Sequence, residues 1–296
     1  MNYVITGSLG HISKPIVEKL ASSGHSVTVI TSKEDRKAEI EMLGAKAAIG
    51  NVEDQNFLVE TFQGADAVYT MVPPTWGASD WKKYIGGIGA NYAEAIRKSG
   101  VKKVVNLSSI GAHMPDGCGP VSGLHHAENA LNALEGVDVK HLRPGFFYNN
   151  FLGNVGMVKN MGIIGSNYEA ETDMVLADTA DIADHAAQFL LSPDFNGKSI
   201  HYVVSDERKS SEVASVLGNA IGKPELPWIG FKDEDALGGM TQSGLSHEVA
   251  SNYVEMGVAL RSGNMGADYR QHGKGINGKR RLEDFAPVFA SVYSQS

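Results

Sequence analysis

The sequence predicts an α/β protein, a doubly wound parallel sheet carrying a smaller C-terminal α/β substrate lobe. Three observations lead there. Short β-branched runs alternate with segments of helical spacing through about residue 150, and each parallel connection needs such a crossover. The first run, Tyr3-Val4-Ile5, is followed at once by Gly7 and Gly10, then by Ile12, Ile16, Val17 and Leu20 at helical spacing, which is the order strand, tight turn, helix. Beyond Asn150 the rhythm lapses, so residues 1–150 are expected as one domain and 151–296 mainly as the lobe, with some of its segments returning to the first domain.

Taken in order, Ser26 to Thr31 reads as a second strand after a Gly24 turn. A helix from about Asp35 to Leu43, a strand from Ala45 to Ile49 and a turn at Asn51-Val-Glu-Asp54 follow. Ala67 to Val72 is the fourth strand, stopped by Pro73-Pro74, because proline cannot continue a central strand. A long helix runs from about Asp80 to Lys98, and its Gly86, Gly87 and Gly89 suggest close packing or a weak segment. Val101 to Ser108 is the fifth strand, Leu124 to Leu134 a helix and Val137 to Leu142 the sixth strand, closed by Arg143-Pro144-Gly145-Phe146-Phe147-Tyr148. In the second half, helices are expected at Asp178 to Leu191, Ser210 to Ile221, Ser246 to Leu260 and Leu282 to Tyr293. A strand is expected at Ser199 to Val204, and a glycine-rich polar stretch from Gly263 to Gly278.

Composition bounds the function. Hydrophobic residues make up 42% and charged residues 20%, ordinary values for a globular chain. A net charge of -8 speaks against direct nucleic-acid binding or an anionic membrane as the main partner. No apolar run reaches the roughly 20 residues of a membrane helix. The lone Cys118 precludes an internal disulfide, and no secretory pattern opens the chain, so a cytoplasmic location is expected.

The glycine turn carries the first functional reading. Glycines at such a turn let the backbone bend and approach a pyrophosphate, while the following helix offers unpaired N–H groups to the phosphates. Gly7, Leu9, Gly10, His11 and Ile12 are the candidate residues, with Ser13 standing where a third glycine is usual. About 20 residues on, a site for NAD places an acid on the ribose and a site for NADP places small or basic groups on its 2′-phosphate. Thr31, Ser32, Lys33 and Arg36 therefore favour NADP, with NAD as the alternative. Asn51 and Val52 are placed at the adenine, though an ordinary Asx turn explains Asn51 equally. Met71, Val72 and Pro73 lie at a strand's carboxyl end, where open α/β sheets bind ligands.

Several short stretches occur in a telling order: Thr6-Gly-Ser-Leu-Gly10, Val72-Pro-Pro74, Leu107-Ser-Ser109, Leu142-Arg-Pro-Gly145 with Asn149-Asn150, Leu176-Ala-Asp-Thr-Ala-Asp-Ile-Ala183 and Glu283-Asp-Phe285. In this the chain resembles, over nearly its full length, the NmrA-like proteins of the atypical short-chain dehydrogenase/reductase superfamily. The resemblance implies a Rossmann domain binding NADP(H) or NAD(H), and either an NADPH-dependent reductase of quinones and related small molecules or a dinucleotide-sensing regulator that acts through a protein partner.

Typical members of the superfamily use a Tyr-x-x-x-Lys pair to protonate a carbonyl. No tyrosine here has a lysine four residues on. If the helix containing Ala127 to Leu131 aligns with the lysine-bearing helix, His126 takes the lysine position and Ser122 the tyrosine position. His126, His125 and Ser108 are then the candidate catalytic groups, with Ser108, His126, Pro144 and Phe146 beside the nicotinamide. For a quinone the ring accepts hydride and solvent completes protonation, so Trp76, Phe147 and Tyr148 are candidates for a flat apolar substrate wall. No metal site is expected: His247-Glu-Val-Ala-Ser251 lacks the second histidine of a zinc helix. The leading expectation is an NADP(H)-dependent oxidoreductase acting on a small conjugated acceptor, with a homodimer or a regulatory protein partner left open; the alternative is a non-catalytic NAD(P) sensor acting through a protein partner.

Overall fold

The computed structural model describes residues 1–295. Its first half alternates strictly: β1 (Asn2–Ile5), α1 (Ser13–Ser22), β2 (Ser26–Thr31), α2 (Lys37–Met42), β3 (Lys46–Ile49), α3 (Gln55–Phe62), β4 (Ala67–Thr70), α4 (Trp81–Ser99), β5 (Lys103–Leu107), α5 (Pro120–Asn132) and β6 (Asp138–Pro144). Then come β7 (Phe146–Phe147), α6 (Val155–Met161), β8 (Ile164–Ser166), β9 (Asp173–Ala177), α7 (Thr179–Leu191), β10 (Lys198–Val203), β11 (Asp206–Lys209), α8 (Ser210–Ala220), β12 (Trp228–Gly230), α9 (Asp233–Gln242), α10 (His247–Arg261), α11 (Ala267–His272) and α12 (Leu282–Gln295).

Seven strands form one sheet in the order β10-β6-β5-β4-β1-β2-β3, and every pair in it is parallel. This is the Rossmann arrangement, wound outward in both directions from β1. The strands are apolar on both faces, as a sheet covered on both sides requires: one core holds Ile5, Tyr69, Leu107 and Leu142 with Ile16 and Leu20 of α1 and Ile182 and Ala186 of α7, the other holds Val4, Val68 and Val104 with residues of α3 and α4. The reversal of strand order at β1 opens a crevice at the carboxyl edge, the place where such sheets bind ligands.

Glycines set the contact between α4 and α5. A Cβ on Gly89 would lie 2.3 Å from the Ala127 side chain, and one on Gly123 would lie 2.7 Å from both the Ile85 side chain and the Lys82 carbonyl. Close packing, of the two alternatives, is thus the role of Gly89. The rest of the chain forms a lobe around Tyr148, Phe151, Leu217, Trp228, Phe285 and Phe289, with a three-stranded sheet β11-β9-β7 and a parallel pair β12-β8. Between these segments α7 packs on α1, and β10 adds itself to the edge of the main sheet beside β6.

The expected elements of the first half are present with end shifts, and one shift matters. α5 begins at Pro120, not at Leu124. Gly119 has φ +54°, and Pro120 at the first helical turn fixes the backbone where its missing N–H costs nothing. The glycine-rich stretch from Gly263 also hides a short helix, α11.

Candidate active site

The turn after β1 is built around Gly7. Its φ of +87° is left-handed, and a Cβ there would lie 2.6 Å from Ser13 Oγ and 3.0 Å from the Met71 side chain. The Ser13 hydroxyl donates to the Thr6 carbonyl at 2.8 Å, and the Met71 N–H donates to Thr6 Oγ1 at 2.8 Å. Ser13 therefore ties the helix start to the strand end in the slot where glycine was expected. Gly10 is different: a Cβ built on it meets only the Gly7 carbonyl, at 3.3 Å. No side chain caps α1 at Ile12; the Lys14 N–H already donates to the Gly10 carbonyl at 3.0 Å and Pro15 has no N–H, which leaves the Ser13 N–H at the helix start for an anion. This uncapped cradle fits a pyrophosphate.

Above the carboxyl ends of β1, β4 and β5 lies a cleft of about 550 Å³. Gly7, Gly10, His11 and Ile12 form one side of it, Tyr69, Met71, Leu107 and Ser108 line it from the strand ends, and Phe146, Phe147, Asn149 and Thr179 line it from the loops that follow β6 and β9. Much of its remaining lining is apolar or aromatic, with Val72, Pro73, Trp76, Trp81, Pro120, Leu124, Tyr253 and Met256 in it, and Ser13, Ser109 and Asn150 are its polar members. Trp76 is 59% exposed, and Trp81 meets Tyr253 edge to face with ring centroids 5.3 Å apart.

The residues at the end of β2 are outside this enclosure. Thr31 Oγ1 accepts from Ser8 Oγ at 3.0 Å and from the Lys33 N–H at 3.2 Å. The strand thus ends on hydroxyls, with no carboxylate at Thr31, Ser32 or Lys33. Among the described residues Lys33 forms no ion pair, whereas Arg36 is bonded to Glu39 at 2.8 Å. Asn51 Oδ1 accepts the Glu53 N–H at 3.1 Å, the Asx-turn geometry, and Val52 is buried in the core. Leu9 packs against the core under α1.

Three expectations need correction. First, neither His125 nor His126 lines the cleft. The face of α5 turned to the cleft carries Pro120, Val121 and Leu124, not Ser122 and His126. Ser122 is buried and accepts the Cys118 N–H, while the His126 Cβ lies 3.0 Å from where a Cβ on Gly86 would be, turned toward α4. His125 Nδ1 bonds the Ala112 carbonyl at 2.9 Å and its Nε2 faces the Asn129 amide at 2.9 Å, a structural role. Second, Tyr148 is fully buried in the lobe, tilted against Phe285 and donating to the Arg280 carbonyl at 3.2 Å. The turn of 3-10 helix that begins there carries its ring away from Phe147 and out of the cleft. Third, Pro144 is buried in β6, paired with Val203; the next residue, Gly145, lines the cleft, and a Cβ on it would lie 2.5 Å from the Val175 carbonyl.

Ser108 does line the cleft, but its hydroxyl hydrogen is already engaged. It donates to Glu128, which is 3% exposed and bonded twice to Arg143, at 2.6 and 3.0 Å. Arg143 also reaches Asp268 at 3.0 Å, and Tyr202 donates to the same carboxylate. Ser108 Oγ is thus left to accept a hydrogen bond from whatever occupies the cleft. Cys118 is buried, and burial pushes its thiol up to about 12, which leaves it an unreactive core residue. Tyr69, Trp81, Tyr253 and Met256 are among the cleft residues that the sequence did not point to. Nothing in their local pattern separates them from core positions of a strand and two helices.

Comparison with known proteins agrees with this geometry. A family described as NAD(P)H-binding matches residues 7–193. The chain is 24% identical over 255 residues to an NAD(P)H azoreductase of Xenophilus azovorans, covering 86% of this chain and 85% of that protein. Its fold is shared with an NADPH-dependent quinone oxidoreductase of Escherichia coli solved with NADPH (TM-score 0.79, 18% identity, 99% of each chain). It is shared too with a triphenylmethane reductase of Citrobacter sp. solved with NADP(H) (TM-score 0.77, 17% identity, 98% of this chain and 100% of that one).

Proposed function

The chain belongs to the NAD(P)H-binding family, and from that premise we propose that it is an NADPH-dependent reductase of flat, conjugated small molecules such as quinones. When bound, the cofactor supplies a hydride. Gly7 and Gly10 let the backbone approach the pyrophosphate, and the uncapped start of α1, with the Ser13 N–H, holds its charge. Ser32 and Lys33 receive the 2′-phosphate, with Arg36 behind them sharing Glu39. Their hydroxyl and ammonium groups, with no acid at the end of β2, favour NADPH over NADH.

The observation that carries the choice of acceptor is the outer lining of the cleft. Trp76, Trp81, Tyr253 and Met256 present aromatic and thioether surface, while the three α5 residues that line the cleft, Pro120, Val121 and Leu124, hold no proton donor. An isolated carbonyl needs a proton as hydride arrives. A quinone does not: the hydride's two electrons reduce the ring to a hydroquinone anion, and solvent supplies the second proton. The walls then need only to stack the acceptor and exclude water from it. The same lining favours turnover over pure sensing, which needs no acceptor wall.

The test is direct. Purified protein is titrated with NADPH and NADH, and NADPH oxidation is followed at saturating cofactor with a panel of quinones, azo dyes and aldehydes. Oxidation with quinones or dyes and none with aldehydes is expected. Tight binding with no oxidation by any acceptor would leave the sensor reading standing instead.

A further inference from the structure

Beside β4 the cleft holds a hydroxyl that the protein leaves without a partner. Tyr69 is fully buried in β4, lines the cleft, and its phenol oxygen has no hydrogen bond. The other buried atoms without partners, on His113, Ser199 and Asn252, belong to residues that do not line the cleft. Buried polar groups are almost always bonded, so an orphan beside a ligand cleft marks a place where a ligand atom completes the bond. Burial raises the phenol's pKa, which keeps it a neutral donor.

The position of Tyr69 says which part of a dinucleotide it meets. In the sheet, β2 and β3 lie on one side of β1, and β4 with Tyr69 lies on the other. The adenosine end belongs with Thr31 and Lys33 on the β2 side, and the pyrophosphate with Gly7 and Gly10 above β1. Tyr69 shares the cleft with Leu107, Phe147, Asn149 and Thr179, beyond the pyrophosphate. We infer that the Tyr69 hydroxyl is a positioning group for the nicotinamide half of the cofactor, donating its hydrogen bond to an oxygen acceptor there. The inference rests on the dinucleotide reading above. It gives the cleft a buried polar anchor beside the apolar side chains of Met71, Leu107 and Phe147.

The test is Tyr69→Phe, which removes only the oxygen. Three quantities are read: the affinity for NADPH, the affinity for 2′,5′-ADP, which carries the adenosine end alone, and the melting temperature without ligand. NADPH should bind the variant roughly 3- to 10-fold more weakly, the scale of one neutral hydrogen bond. The fragment should bind it as well as it binds the unaltered protein, and the ligand-free melting temperature should stay level or rise because an unpaired buried group is gone. A merely structural tyrosine would instead lower the melting temperature and leave NADPH affinity alone. Equal NADPH affinity in the variant overturns the inference, as does a parallel loss for the fragment or a clear fall in ligand-free stability. Failure of the unaltered protein to bind either dinucleotide would instead sink the functional reading from which the inference starts.

Discussion

Glu128→Gln is the perturbation that best tests how the cleft is supported. The Glu128 and Arg143 side chains are 4% and 5% exposed, and the carboxylate takes two guanidinium bonds and the Ser108 hydroxyl at once. Glutamine keeps the shape but leaves the guanidinium short of charge. Removing one member of a buried ion pair costs about 3–5 kcal/mol, because the other charge stays buried. Asp268 still stands 3.0 Å from Arg143 Nη1, which puts the expected loss near the lower end, about 3 kcal/mol. At roughly 2–4 °C per kcal/mol for a chain of this order of size, the melting temperature should fall by about 6–12 °C. Calorimetry or circular dichroism measures it. Glu128→Leu with Arg143→Met removes both charges together and should recover most of the loss, since apolar replacements of such pairs are often neutral. An unchanged melting temperature in Glu128→Gln, or a double variant less stable than the sum of the singles, would refute the view that this pair is a buried charge couple under Ser108.

Other parts of the molecule give further expected outcomes. Gly7→Ala meets both the left-handed φ and the 2.6 Å contact with Ser13 Oγ; a stability loss of about 1–3 kcal/mol and a collapse of dinucleotide affinity are expected, read by melting and by fluorescence titration. Lys33→Ala should weaken NADPH by roughly tenfold and leave NADH unchanged, as one charge-assisted bond predicts; equal losses for both cofactors would remove Lys33 from the 2′-phosphate. Burial pushes the His141 imidazole down to about 4, against about 6.5 in an unfolded chain. In the neutral ring Nδ1 accepts from Asn106 and Nε2–H donates to Asn132, so a second proton would face the Asn106 amide. Its contribution is whole above pH 6.5 and is lost as pH falls toward 4, on the order of 3 kcal/mol in all. His141→Asn should flatten the fall of melting temperature across that window.

The parallel sheet was legible because short apolar strands, rich in β-branched residues in β2, β4 and β5, alternate with segments of helical spacing, and both signals are local. The glycine turn was legible for the same reason. What escaped was set by distance along the chain. β9 and β11 are short, and β11 reads Asp206-Glu-Arg-Lys209, a charged string that becomes a strand only because β9 lies antiparallel beside it. Gly119 with Pro120 hid the first turn of α5, and aligning the Ala127–Leu131 segment with a lysine-bearing helix put Ser122 and His126 at the cleft, where the helix presents Pro120, Val121 and Leu124. Tyr148 follows two cleft phenylalanines, yet the 3-10 turn carries it into the lobe. Tyr253 and Met256 come from α10, more than a hundred residues past the strands they face, with an amphipathic pattern that any packed helix would have.

The return of β10 to the sheet gives the chain a woven architecture. The lobe's segments leave after β6 and the chain comes back to pair Lys198–Val203 with that same strand before departing again. Neither half can therefore be peeled away as a bead on a string. A truncation at residue 150 would strip β6 of its outer neighbour and bare a ladder of unpaired backbone along a strand that carries Val139 and Leu142, a sticky seam for other chains. Circular permutation at an exposed loop is the gentler cut, because it moves the ends without unpicking the weave.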